Sequence, residues 1–125
     1  MGGRGTYAAG RDVPFVYKTV GLFHGIKVLE GSGGRHGLPE EAHSSTAYAK
    51  LAKDGNLLML RFYDKDKFLT MDIGYHAEPA LTGHYKRVYH IHAYDRQFNR
   101  TPARLMTPEE IALYGKYCTV KGAFR

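Results

Sequence analysis

Cysteine is almost missing from this chain of 125 residues, which contains only Cys118. One cysteine cannot form a disulfide within the chain, and it cannot supply the paired thiolates of a structural zinc site. The composition therefore predicts a reducing, intracellular setting. We expect Cys118 itself to be a small core residue, because no histidine is placed near it in the pattern.

Long apolar stretches are missing as well. No run approaches the roughly 18 apolar residues that a membrane-spanning helix needs, and the first residues carry no apolar core of a secretory signal. We therefore predict no membrane segment. Residues 1–11 are rich in glycine and arginine and are expected to form a flexible leader, while residues 12–125 form a single domain.

Acidic residues are fewer than basic ones: the chain has 18 lysines and arginines and 12 aspartates and glutamates, which gives a formal net charge of +6. This balance favours partners that carry phosphate, such as nucleic acid, a nucleotide or a nucleoprotein. The basic residues are dispersed and no run reaches five, so a polybasic arm is not predicted. A basic domain without any such partner is the alternative that composition leaves open.

Recognised phosphate-binding loops are also absent. The glycine-rich stretch at residues 31–34 lacks the Gly-Lys-Ser/Thr ending of a Walker loop, and it contains no G-x-G-x-x-G motif. We expect a connecting loop there, with weak phosphate-binding potential through Arg35 and His36.

What the chain does contain is a pair of histidines on one predicted strand. Residues 87–95 read Arg-Val-Tyr-His-Ile-His-Ala-Tyr-Asp and alternate strictly. As a β-strand, this segment places His90, His92 and Tyr94 on one face and the intervening residues on the other.

Two earlier segments, residues 56–64 and 67–76, alternate in the same way. If the three strands pair as an antiparallel meander, their apolar side chains share one face and their polar side chains share the other. The polar set would then be Asp72, His76, His90 and His92. The sequence thus predicts a surface of imidazoles and a carboxylate on a β-sheet.

Further strands are predicted over residues 13–20, 22–30 and 46–53, with His24-Gly25 as an interruption or bulge in the second. Thr107-Pro108-Glu109-Glu110 combines an N-cap threonine, a proline in the first turn and a capping-box glutamate. This predicts a helix over residues 108–118, followed by a loose tail over residues 119–125.

The predicted fold is therefore α+β: an antiparallel sheet of about five or six strands, mostly a meander, with one C-terminal helix packed across one face.

The histidine face supports three kinds of chemistry. A divalent metal such as zinc would take nitrogen and oxygen ligands from Asp72, His76, His90 and His92. Metal-independent cleavage of a phosphodiester would use His90 and His92 as the acid–base pair and Tyr94 as a proton donor. In that case the phosphate would be held by Arg61, Lys86, Arg87 and Arg96. Binding without chemistry would use tyrosines interleaved with these cations.

The string Arg61-Phe62-Tyr63-Asp64, together with Asp72-Ile73 and the strand His90-Ile91-His92-Ala93-Tyr94, resembles a small domain of bacteriophages and prophages. That domain occurs at the C-terminus of phage minor head proteins and in related polymorphic-toxin-like modules. It often opens with Gly-Gly-Arg-Gly, as residues 2–5 do here. The resemblance covers residues 46–95 and the leader. One departure is Val88-Tyr89, which stands where proline usually precedes the histidines, so the start of the strand should differ.

The resemblance implies a phage origin, with the protein in the bacterial host cytoplasm or associated with the virion. We predict a phage-associated basic domain that binds a phosphate-bearing ligand, nucleic acid or nucleoprotein, a class that includes inhibitors of host defence. A toxin-like nuclease that uses His90 and His92 is the first alternative. A structural head-attachment module, which would need neither histidine, is the second. An exposed histidine face would also suit a contact between subunits of an oligomer.

Overall fold

The computed structural model describes residues 17–31, 38–40, 42 and 45–125. These residues form one sheet of seven strands, in which each strand lies beside the next one along the chain. The strands are β1 (Tyr17–Phe23), β2 (Ile26–Gly31), β3 (Ala47–Leu51), β4 (Leu57–Tyr63), β5 (Leu69–Ala77), β6 (Arg87–Ala93) and β7 (Arg104–Leu105). A four-residue helix, α1 (Pro79–Thr82), connects β5 to β6. No described helix is both long enough and apolar enough to cross a bilayer.

Helix α2 (Pro108–Tyr114) follows the sheet and continues into a 3-10 turn at Gly115–Tyr117. The N-terminus of α2 has the predicted capping box: the Thr107 hydroxyl accepts a hydrogen bond from the backbone N–H of Glu110, and the Glu110 carboxylate accepts one from the N–H of Thr107. Ile111, Tyr114 and Cys118 pack against the core, as their spacing predicts. The helical region ends one residue earlier than predicted, and its last turn is 3-10 rather than α.

The α+β class is confirmed, with corrections to the strand count and the pairing. The described sheet has seven strands, because Arg104–Leu105 form β7, a strand not predicted from the sequence, which pairs with His90 and Ile91. Neighbouring strands are antiparallel except for β2 and β3, which run parallel through two residue pairs, Lys27 with Tyr48 and Val28 with Ala49. The sheet is therefore mixed rather than wholly antiparallel.

The predicted bulge at His24-Gly25 is in fact a hairpin turn. His24 and Gly25 have φ angles of 51° and 77°, and the flanking residues Phe23 and Ile26 pair directly across the turn. Two consecutive positive φ angles match a type I′ turn, whose twist suits a two-residue hairpin. The leader at residues 1–11, the start of the first predicted strand at 13–16 and the loop with Arg35 and His36 lie outside the described residues.

Two apolar clusters lie on opposite faces of the sheet. The larger contains Leu60, Ile73 and Ile91 and is covered by α2 and the C-terminal residues. The smaller is centred on Tyr48 and Tyr63. Because neighbouring residues of a strand point to opposite faces, and Ala49 belongs to the first cluster, the second lies on the histidine face. The prediction that the apolar side chains share one face was therefore incomplete.

The tail after α2 is not loose, contrary to prediction. The Tyr89 N–H donates to the carbonyl of Ala123 over 2.8 Å, and the N–H of Val120 donates to the Tyr89 hydroxyl over 3.1 Å. The Thr119 hydroxyl accepts a hydrogen bond from the N–H of Leu57. These bonds seat the C-terminal segment on the larger cluster.

We predict that Glu110→Ala lowers the free energy of unfolding at pH 7 by about 1–2 kcal/mol, because it removes one hydrogen bond of the capping box and a bidentate ion pair. The Glu110 oxygens accept from Arg104 over 2.7 and 2.8 Å. The hydrogen bonds from Arg104 are the main cause that lowers the pKa of Glu110 to about 2, and the hydrogen bond from the Thr107 N–H contributes further. The stabilisation should therefore be complete above the ordinary glutamate pKa and disappear as the pH falls toward 2.

Urea unfolding at pH 7 and near pH 2 measures this difference, and Glu109→Ala is the matched control in the same helical turn. Equal losses in the two variants at pH 7 would contradict the assigned role of Glu110.

Candidate functional site

A cleft of about 630 Å³ opens over β4, β5 and β6, and the segment that leads into β7 forms part of its wall. We call it the histidine cleft, after the side chains that line it. These include Arg61, Asp72, His76, Glu78, His90, His92, Arg100 and Thr101. The structure thus brings the four residues of the predicted polar set to one cleft, together with Arg61.

The register of three strands places these groups. Asp72 lies opposite His92 in the pairing of β5 with β6, and Gly74 lies opposite His90. On its other side, Asp72 lies opposite Arg61 of β4. Cross-strand neighbours on one face have their Cβ atoms about 4.5–5.5 Å apart. The arginine, carboxylate and imidazole therefore form a row across the sheet.

Both strand histidines are fixed by backbone carbonyl groups. His90 Nδ1 lies 3.1 Å from the carbonyl oxygen of Val88, and His92 Nδ1 lies 2.8 Å from that of Thr101. A carbonyl oxygen can only accept, so each Nδ1 carries the proton and donates it. In each neutral ring Nε2 is then an unprotonated acceptor. The two rings meet edge to face, with centroids 5.3 Å apart.

His90 is enclosed by the sheet. It is 4% exposed, and a Cβ placed on Gly74 would lie 3.2 Å from its Nε2. Glycine at position 74 therefore provides the space in which the ring lies. Burial lowers the pKa of His90 below the ordinary histidine value, and the hydrogen bond to Val88 and the charge of Glu78 oppose this shift only in part. His90 is consequently neutral at pH 7.

Asp72 is a buried carboxylate, 2% exposed, and its Oδ2 atom has two partners. The Arg61 Nε donates over 3.2 Å, and the Tyr94 hydroxyl donates over 2.8 Å. Arg61 also donates through Nη1 to the carbonyl of Leu38 over 2.7 Å. This network links the sheet to the chain at residues 38–39.

The roles predicted for Tyr94 and Arg61 do not fit this geometry well. Burial, reinforced by the charge of Asp72, raises the pKa of Tyr94 to about 12. The phenol is therefore a poor proton donor at neutral pH, and its hydrogen already binds Asp72. Arg61 lines the cleft, but its Nε and Nη1 atoms already donate hydrogen bonds to Asp72 and to the carbonyl of Leu38.

The predicted metal set is not assembled. Among the residues that the structure describes, no three His, Cys, Asp or Glu side chains are arranged to hold one metal ion. The Asp72 carboxylate is bound to Arg61 and Tyr94, and the side chain of His76 is 77% exposed at the rim. The described side chains therefore do not fit the zinc site proposed from sequence.

Two cleft residues had no role in the sequence prediction. The Glu78 carboxylate lies 3.5 Å from His76 Nδ1 and 4.0 Å from His90 Nε2, which makes it the nearest acid to the buried imidazole. Arg100 is exposed at the wall and is placed there by a bridge to Tyr94. If the predicted strand that contains His76 had been extended to Ala77, Glu78 would have been expected at the end of that strand, beside His76. No sequence signal indicated the bridge between Tyr94 and Arg100.

The other predicted phosphate ligands lie outside the histidine cleft. Lys86 and Arg87 line a second depression beside the C-terminal segment. Arg96 binds Asp64 and Asp66, each over 2.8 Å, and its guanidinium lies over the ring of Phe68. Arg96 therefore stabilises a turn and is already neutralised by two carboxylates.

Comparison with known proteins identifies no relative: no family model, no curated protein and no solved structure matches the chain. The resemblance to the phage head-protein domain stays a prediction.

We predict that Gly74→Ala destabilises the protein by about 1 kcal/mol or more, because the new methyl group must displace the His90 ring in a packed site. The matched control is Gly21→Ala in β1, where an added Cβ meets no atom within 4 Å. That change should be neutral or stabilise by up to about 1 kcal/mol.

Urea unfolding compares the two variants, and the NMR signals of the His90 ring report its displacement directly. Unchanged His90 signals in Gly74→Ala would show that the ring does not depend on this space.

Proposed function

We propose that this chain is a small basic domain that binds a phosphate-bearing ligand in the histidine cleft, with a nucleotide or a nucleotide unit of nucleic acid as the ligand. The observation that carries the proposal is the pair of imidazoles whose Nδ1 atoms donate to backbone carbonyls beside the exposed cation Arg100. The net charge of +6 favours the approach of such an anion.

The donor and acceptor pattern suits a nucleotide better than a bare phosphate. The unprotonated Nε2 of neutral His90 would repel a phosphate oxygen, but it accepts a hydrogen bond from a sugar hydroxyl or a base amino group. Arg100 would supply the charge for the phosphate. The cleft volume of about 630 Å³ lies within the range of roughly 300–1,000 Å³ that is usual for small-molecule sites.

We expect Arg100→Ala to weaken the binding of a nucleoside monophosphate roughly tenfold, because it removes a charge-assisted hydrogen bond. His92→Ala should weaken binding of both the nucleotide and the unphosphorylated nucleoside. Lys65→Ala is the control, since it removes an exposed charge from the turn between β4 and β5. Isothermal titration calorimetry with inorganic phosphate, nucleosides and nucleoside monophosphates measures each affinity.

The proposal fails if none of these compounds binds, or if Arg100→Ala and Lys65→Ala have equal effects. Lower pH provides a further check. Protonation of His90 Nε2, below the ordinary histidine pKa of about 6.5, turns an acceptor into a cationic donor. Affinity for inorganic phosphate should therefore rise as the pH falls through this range.

Phosphodiester cleavage is the second candidate, and the pairing of His90 with Glu78 favours it. A neutral imidazole with a free Nε2 is the form required of a general base, and a carboxylate 4.0 Å away would stabilise the imidazolium that forms. His92 in its protonated form would then donate a proton from Nε2 to the leaving oxygen, and Arg100 would stabilise charge on the phosphate.

If this second candidate holds, labelled RNA or DNA is cleaved by the purified protein, and His90→Ala reduces the rate by about 10²–10⁴-fold while the far-UV circular dichroism spectrum is unchanged. His24→Asn is the control, because His24 is exposed in the turn between β1 and β2, away from the cleft. Binding without turnover would leave the first proposal alone.

The phage origin, the location in host cytoplasm or virion and a role against host defence follow from the resemblance and stay predictions. A head-attachment module would need neither histidine, so loss of nucleotide binding in His92→Ala with intact function in phage assembly would favour it.

A further inference from the structure

A basic surface of the described structure lies outside the histidine cleft. It is a depression of about 440 Å³ between the start of β6 and the C-terminal segment. We call it the basic depression. Four of its lining residues are cationic and none is acidic: Lys86, Arg87, Lys121 and Arg125. These residues come from two segments that are more than thirty residues apart in the chain and are joined by the hydrogen bond from Tyr89 to Ala123.

The cations of the basic depression are largely free of ion pairs. Among the described residues, no carboxylate forms a salt bridge with any of the four. The charge of Arg87 contributes to lowering the pKa of Asp54, but it is the smallest cause, and hydrogen bonds from Asn56 are the largest. By contrast, Arg96 and Arg104 are neutralised by bound carboxylates. The basic depression therefore keeps its charge available for a ligand.

Aromatic rings accompany these cations. Tyr75 lines the basic depression and its ring lies under the Arg87 guanidinium, 5.8 Å from the centroid. Tyr85, directly before Lys86 in the chain, is 84% exposed. An exposed ring beside unpaired cations is a combination that binds single-stranded nucleic acid, by stacking on bases and by contact with phosphates.

We propose that the basic depression and Tyr85 form a binding site for single-stranded nucleic acid, in which Lys86 and Lys121 contact phosphates and Tyr85 stacks on a base. The ring of Tyr75 packs on Tyr89 in the larger cluster, so the basic depression lies on the face of the sheet opposite the histidine cleft. The inference goes beyond the proposed nucleotide site and stands independently of it.

The test measures the binding of a fluorescein-labelled single strand of about 12 nucleotides, within the usual site size, by fluorescence anisotropy between about 50 and 200 mM salt. Lys86→Gln/Lys121→Gln should weaken binding on the order of tenfold and reduce the slope of log K against log salt by about 1.4, because two phosphate contacts are lost. Lys65→Gln, at the opposite end of β5, should change neither quantity.

Substitutions of Tyr85 test the contribution of base stacking separately from that of charge. Tyr85→Ala should weaken binding of the single strand about tenfold, whereas Tyr85→Phe, which keeps the ring, should bind like the wild type. The duplex of the same sequence should bind more weakly than the single strand, and Tyr85→Ala should leave duplex binding unchanged. Polyglutamate of equal charge should also bind more weakly.

Several results would overturn the proposal: no binding of the single strand, equal effects of the Lys65 and Lys86/Lys121 changes, or polyglutamate binding as tight as the oligonucleotide. The outcome is separable from that of the histidine cleft. If nucleoside monophosphates fail to bind but the oligonucleotide binds through Lys86 and Lys121, the cleft proposal fails and this one stands. If nucleotides bind and the lysine changes have no effect on the oligonucleotide, this proposal fails alone.

Discussion

The antiparallel register between β5 and β6 is the constraint on which the rest of the site depends. Seven consecutive pairs join the two strands, and they fix Asp72 opposite His92 and Gly74 opposite His90. A shift of β6 by one residue would turn His90 and His92 to the other face. It would place these imidazoles on the face that α2 covers and Ile91 on the face of the histidine cleft. Burial of the apolar face therefore fixes the register that brings the two histidines to the opposite face.

The buried carboxylate of Asp72 is the second constraint. An ion removed from water is costly unless it is paired and hydrogen-bonded, and here Arg61 and Tyr94 provide both kinds of partner. The same arginine reaches the carbonyl of Leu38, so the charge that neutralises Asp72 also positions the chain beside the smaller cluster. Asp72, Arg61 and Tyr94, predicted as a metal ligand, a phosphate ligand and a proton donor, thus form a hydrogen-bonded framework beside the two histidines.

Strict alternation was enough to predict which face His90 and His92 share, and the capping motif predicted the start of α2. Alternation failed where strands carry an extra residue. The register of β4 with β5 shifts between Phe62 and Tyr63. As a result, the side chain of Leu69 points to the smaller cluster. A similar shift at the other end of β4 places Leu57 in the larger cluster. Such bulges depend on packing across the sheet and leave no periodic mark in the sequence. The position of Glu78 and the docking of the tail depend likewise on tertiary contacts.

The parallel contact between β2 and β3 has a consequence for motion. Two residue pairs join these strands in the described sheet, whereas seven join β5 and β6. Free energies of local opening follow the number of bonds and buried contacts that must be broken. The β1–β2 hairpin should therefore separate from the sheet as a unit more often than the interior strands separate from one another. Amide hydrogens of β3 that face this seam would exchange with solvent early, while those of β5 would be retained until the whole domain unfolds.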